Sequence, residues 1–202
     1  MVSFRYHQAM ENADLLVELL ERLGLLLRTE RRRRSSSHGL SEVHLALLDY
    51  LARCNRFSNT PGAASEYLGI TKGTISQSIK LLESRGLVRK QTDREDKRIT
   101  RLTLTRAGAA LARPREVDAW HAVLEELPKD ELAVATRTLR TLLAGLQEKN
   151  DYRTFQQCGS CRHLVSDESE YRCGLTRQPL KASDLERICM DHEFGLPDKA
   201  VG

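Results

Sequence analysis

Leucines recur at intervals of three and four near the start of the chain, at Leu15, Leu16, Leu19, Leu20, Leu23, Leu26 and Leu27, with charged residues between them. This period predicts a long amphipathic helix from about Gln8 to Arg28. The run Arg31 to Arg34, followed by Ser35, Ser36 and Ser37, offers no apolar face and is expected to end that helix as a solvated loop, with a phosphate-contacting arm as the alternative. Ser41 and Glu42 open a second helix, Leu40 to about Cys54, with Val43, Leu47, Leu48 and Leu51 on one face. Cys54 at its end reads as a small buried apolar residue ahead of a reactive thiol. A polar break from Asn55 to Asn59 follows. Thr60 then fits an N-cap and Pro61 a first helical position, for a helix running to about Leu68. Gly69 suits a left-handed turn, and Thr71 is placed to cap a further helix that ends at Gly86. Two short helices joined through such a turn are a helix-turn-helix.

The second of these helices has Ile75, Ile79 and Leu82 on one face, while Gln77, Lys80 and Ser84 face away and Thr74 and Ser76 flank them. An ordinary surface helix could read the same way. The polar face nevertheless suits a major groove, where Gln and Lys reach base edges and Ser or Thr reach phosphates. Leu87 to Gln91 and Ile99 to Leu104 are β-propense runs separated by Thr92 to Arg98, which predicts a hairpin with a charged tip. From Arg85 to Arg106 there are eight basic and three acidic side chains, so the hairpin reads as a cationic wing beside the helix. Beyond it, Pro114 should kink or restart a helix that carries Val117, Trp120, Val123, Leu124 and Leu127. Pro128 begins another, with Leu132, Val134, Leu139, Leu142, Leu143 and Leu146. Together with the first helix, these faces exceed what a small winged core covers and point to a homodimer. The fold class is therefore mainly α with a small β wing, a winged helix-turn-helix dimerising through its N- and C-terminal helices.

Composition sharpens this picture. The net charge is only +4, but residues 1–150 hold 25 basic and 19 acidic side chains against 7 and 9 in residues 151–202. The surplus lies on the larger part, as expected of a domain that binds double-stranded DNA. No apolar run approaches the roughly 18 residues of a membrane span, and no secretory signal precedes the first helix, so a cytoplasmic protein is expected. A phosphate-binding glycine loop, a nucleophile elbow and a plausible pocket of paired carboxylates are all missing, which disfavours an enzyme.

The stretch TKGTISQSIKLLESRGLVRKQTDREDKRITRLTLTRAGAAL resembles the recognition helix, wing and following helix of the MarR family of bacterial regulators. The likeness rests on Leu82 to Val88, on Asp93-Arg94 with Arg98, and on Leu104-Thr105 with Gly108, and it covers residues from about 10 to 149. It implies a homodimer that sets two recognition helices against a pseudo-palindromic operator. The DNA-contacting set expected here is Lys72, Thr74, Ser76, Gln77 and Lys80 in the groove, with Arg94, Lys97 and Arg98 on the wing. The resemblance casts Asp93 as a support that orients a wing arginine. A small aromatic acid or similar effector, in a cleft lined by His44, Tyr50 and Trp120, is a further possibility that the family implies.

After residue 150 the chain changes character, which suggests a domain over 1–150 and a cysteine-rich module over 151–202. Four of the five cysteines fall here, with the spacing Cys-x2-Cys-x11-Cys-x15-Cys at Cys158, Cys161, Cys173 and Cys189. A Cys-x2-Cys knuckle converges two thiolates on one centre, and two more complete a four-thiolate set. One knuckle followed by widely spaced single cysteines places an iron–sulfur cluster such as [4Fe–4S] ahead of Zn(II), the alternative, and His192 is an alternative fourth ligand. The segment, with Phe194 shortly after its last cysteine, is also similar over some 37 residues to small cluster-binding subunits of some glycyl-radical enzymes. A regulator sensing through this centre, a regulator with a purely structural zinc, and a protein-binding or electron-transfer scaffold without DNA binding all remain open at this point.

Overall fold

The computed structural model describes residues 2–112, 119–167 and 170–194. Pro114 and Val117, with the expected kink, lie outside them. The chain divides after Leu45 into two compact units.

The first unit is dominated by one helix, α1 (Val2–Ser37), which runs through the arginine and serine residues where a loop was expected. Arginine is a strong helix former, and the partial negative charge at a helix C-terminus favours cations there, so the basic run extends the helix. Its end is set by Gly39, at φ 60°, where the Leu40 amide donates to Ser35 O at 2.9 Å and the Gly39 amide to Ser36 O at 3.1 Å. This left-handed cap satisfies the last carbonyls, and Leu40 just beyond it is buried.

Helix α2 (Glu42–Arg53) leads into the second unit, where α3 (Pro61–Leu68) and α4 (Lys72–Ser84) form the helix-turn-helix. Thr60 caps α3 by accepting from the Ala63 amide, Gly69 takes the left-handed turn at φ 63°, and Thr71 caps α4 by accepting from the Thr74 amide. Ile75, Ile79 and Leu82 are buried beneath α4, each contributing about 2 kcal/mol by removal of apolar surface from water. Strand β1 (Val88–Thr92) pairs antiparallel with β2 (Thr100–Leu104) in the register Val88 to Leu104, which builds the wing. Helices α5 (Arg106–Ala112), α6 (Ala119–Glu125) and α7 (Lys129–Lys149) follow. Pro128 caps α7 from outside. No residue of α7 is buried, and among the described residues no helix is long and apolar enough to cross a membrane.

The C-terminal segment forms a three-stranded antiparallel sheet in the order β3 (Leu164–Asp167), β4 (Glu170–Cys173), β5 (Pro179–Leu180). It is hydrogen-bonded to the loop between α2 and α3. Ile188 N donates to Arg53 O at 2.9 Å, Asn55 N to Ile188 O at 2.8 Å, and Met190 N to Ser58 Oγ at 2.8 Å. Arginines reinforce the contact from both sides, Arg187 to Ala52 O and Arg56 to Pro179 O, each at 2.6 Å. Phe155 also meets the edge of Tyr67, which stacks on the buried Tyr50.

Candidate DNA interface and thiol centre

Burying Ile75, Ile79 and Leu82 turns the opposite side of α4 outward. Lys72, Thr74, Ser76, Gln77 and Lys80 are all exposed on that side. The Thr74 hydroxyl is shared with Thr71 Oγ1 at 3.0 Å, which leaves Ser76, Gln77 and Lys80 as the longer reach of the surface. Lys90 of β1 pairs with Glu83 at 2.6 Å, joining the wing to the end of α4. Arg94, Lys97 and Arg98 stand exposed at the wing tip, where Arg98 forks onto Asp96 with Nη2 at 2.8 Å from Oδ2.

Asp93 does orient an arginine, but the residue is Arg101, which the sequence reasoning missed. Arg101 Nε donates to Asp93 Oδ2 at 2.7 Å, and its Nη1 donates to Phe57 O at 2.9 Å and Arg56 O at 3.0 Å. Asp93 Oδ1 accepts the Glu95 and Asp96 amides, so one carboxylate closes the wing turn and, through Arg101, holds the turn-side end of β2. The Arg101 guanidinium, then those amides, hold the Asp93 carboxyl down at about 2 from 3.8. A carboxylate whose affinity for protons falls on folding stabilises the fold above its unfolded value and loses that contribution as pH falls through its folded one. The wing should therefore keep its amide protection down to about pH 4 and lose it between about pH 4 and 2. Asp93→Asn should show the loosened wing already at pH 7, as read by hydrogen exchange of β1 and β2; equal protection in both proteins at pH 7 would refute the role.

The four module cysteines converge. Cys158, Cys161, Cys173 and Cys189 all line one small cavity, with Asn55, Phe57, His163, Leu164 and Leu180 among the other walls. Cys158 and Cys189 are buried and in direct contact, which draws one thiol of the pair below the usual thiol range and pushes the other above it. Asn55 Nδ2 donates to Cys158 Sγ at 3.3 Å. Among the described residues no three His, Cys, Asp or Glu side chains form a group that could hold a metal ion. Four soft sulfur donors lining one space are the donor set of either a zinc ion or an iron–sulfur cluster. His192 stands apart from the cavity. It is buried, with Nδ1 2.7 Å from Thr154 Oγ1 and Nε2 3.1 Å from Ser160 Oγ, and both ring nitrogens are engaged by hydroxyls.

Cys54 is buried beside the module yet lies outside the thiol cavity, and burial pushes its thiol up to about 12, which leaves it inert. Tyr50 is core rather than cleft wall, its hydroxyl donating to Ser58 O at 2.7 Å. An open cleft between α3, α7 and the C-terminal segment is lined instead by Arg53, Tyr67, Arg140 and Arg153.

No curated protein matches the chain in sequence. Among solved structures, the transcriptional regulator PA3341 is 29% identical with a TM-score of 0.55, over 66% of this chain and 98% of its own. A MarR family transcription regulator, SP03579, is 20% identical with a TM-score of 0.55, over 70% and 97%. The MepR–DNA complex of S. aureus is 19% identical with a TM-score of 0.50, over 64% and 96%. The model of the MarR family matches residues 38–99, the span from the cap of α1 to the wing tip, so this part of the chain is similar to a MarR family domain.

Proposed function

We propose that the protein is a homodimeric transcription regulator, acting as a repressor, that reads a pseudo-palindromic operator through α4 and grips flanking backbone with its wing. The observation that carries this is the exposed Ser76, Gln77 and Lys80 surface of α4 beside a wing bearing Arg94, Lys97 and Arg98, within the span similar to a MarR family domain. PA3341, the relative at 29% identity, is itself described as a transcriptional regulator. The dimer is supported by apolar faces that remain uncovered: Leu15, Leu19 and Leu26 on α1, and Val134, Leu143 and Leu146 on α7, are 44–60% exposed. Monomers seldom leave such stripes to water, and a second copy would cover them. Two copies related by a twofold axis would place their recognition helices about 34 Å apart, one turn of DNA.

The thiol cavity is the second part of the proposal. Cys158, Cys161, Cys173 and Cys189 would hold a [4Fe–4S] cluster, a group that supplies one-electron redox chemistry and is lost to oxidants. One Cys-x2-Cys knuckle followed by widely spaced single cysteines supports this cluster, and the direct contact of Cys158 with Cys189 supports a zinc ion as the second reading. The chain's own part is to bury two of the thiols and to carry the module on the loop that opens the helix-turn-helix.

The DNA reading is tested by selecting a duplex from a randomised pool and titrating it by fluorescence anisotropy. Gln77→Ala should weaken the selected duplex about tenfold while leaving unselected DNA unchanged, because a base contact discriminates. Lys97→Ala should weaken both alike and flatten the salt dependence, because a phosphate contact does not. Failure of the pool to enrich, with binding indifferent to salt, would mean that the winged domain does not bind DNA.

A further inference from the structure

We infer that Asn55 is a positioning residue that couples the thiol centre to the wing, so that loss of the centre weakens operator binding. This rests on the reading of the thiol cavity proposed above and goes beyond it by naming the connection and its direction. Asn55 is 3% exposed, and every part of it is used. Its Nδ2 donates to Cys158 Sγ, its Oδ1 accepts the Phe57 amide at 3.0 Å and the Ser58 amide at 2.9 Å, and its own amide donates to Ile188 O, one residue before Cys189. One side chain thus ties two cysteine-bearing segments to a single turn of loop.

The other end of that loop holds the wing. Arg56 O and Phe57 O accept from Arg101, whose Nε is fixed by Asp93, and Asn59 O accepts the Leu102 amide of β2 at 2.7 Å. Between Cys158 and the wing turn there is therefore a continuous series of hydrogen bonds through Asn55, the Arg56 and Phe57 carbonyls, Arg101 and Asp93. The loop also ends on Thr60, the cap of the first helix of the DNA-reading pair. With the centre in place, Cys158 and Cys189 are held and Asn55 keeps its sulfur acceptor. When they are released, a buried amide donor loses its partner, which is costly enough to displace the turn. The loop is the element that both sites bias, so the loaded state keeps β2 of the wing in order and binds DNA more tightly.

The test compares iron-loaded protein, prepared without oxygen, with protein stripped by a chelator, using the selected duplex. Stripping the wild type should lower affinity about tenfold and expose the amides of residues 55–59 and 100–104 to hydrogen exchange. Asn55→Asp keeps an acceptor for the Phe57 and Ser58 amides but sets a carboxylate oxygen where the donor stood. It should release iron to the chelator about tenfold faster and lose most of the affinity difference. Arg101→Lys keeps the charge opposite Asp93 but drops the fork onto the carbonyls. It should hold iron as the wild type does while also losing the affinity difference, and it keeps the inference testable should Asn55→Asp fold poorly. A tenfold difference that survives in both variants overturns the coupling and leaves the centre standing. A wild type that takes up no iron overturns the proposed centre, and the inference with it.

Discussion

Gly108→Ala is expected to lower the melting temperature by about 10 °C, a loss on the order of 3 kcal/mol for a chain of this length. The reason is space, since a Cβ at this position would stand 2.0 Å from Leu87 O and 2.9 Å from Leu87 C. Both are backbone atoms, so no rotamer relieves the clash. Leu87 O is also the acceptor for the Thr105 amide at 3.1 Å, while Thr105 Oγ1 donates to Gly86 O at 2.7 Å and accepts the Gly108 amide at 3.0 Å. Moving α5 away to admit a methyl group breaks this knot, which joins α5 to the start of β1 directly after α4. A circular-dichroism melt at fixed protein concentration reads the effect, because a dimer's melting point depends on concentration. A melting point within about 2 °C of the wild type would show that the close approach is not a constraint.

The second large effect is expected at the thiols. Cys158→Ser combined with Cys189→Ser should abolish the iron and sulfide content of protein purified without oxygen. It should also make residues 151–194 sensitive to protease. The described part of this segment buries few apolar side chains, chiefly Phe155, Leu180 and Ile188. So small a core does not stand alone, and a bound group held by four thiolates would supply the missing stability. Cys54→Ser is the control, because Cys54 lies outside the thiol cavity and should leave iron content unchanged. Visible absorption and metal analysis decide the outcome. Wild-type stoichiometry in the double variant would remove these cysteines from the ligand set, and colourless wild-type protein with one zinc per chain would replace the cluster with a structural ion.

Local chemistry made much of the fold readable. Thr60-Pro61, Gly69 and Thr71 each act through atoms of their own or of residues close in sequence, so caps and turn could be named before any tertiary contact was known. The same holds for α4, whose apolar positions at three- and four-residue spacing leave Gln77 and Lys80 facing water. The basic run after Arg31 misled for a related reason. Its lack of an apolar face says that the residues are solvated, not that they leave the helix, and the true stop was Gly39.

What remained hidden depends on partners far away along the chain. Asn55 looked like part of a polar break, and its role comes from a sulfur 103 residues onward. Arg101 looked like one more cation in a basic hairpin, yet it faces Asp93 and two loop carbonyls. The sequence by itself determined the order of helices and wing, the polar outward surface of α4 and the cysteine set, because periodicity, capping and spacing are short-range. Only the tertiary structure decided that the module sits on the Cys54 to Asn59 loop and that this loop braces the wing. Those hydrogen bonds exist only once distant segments have been packed together, and no local pattern encodes which buried donor will meet which acceptor.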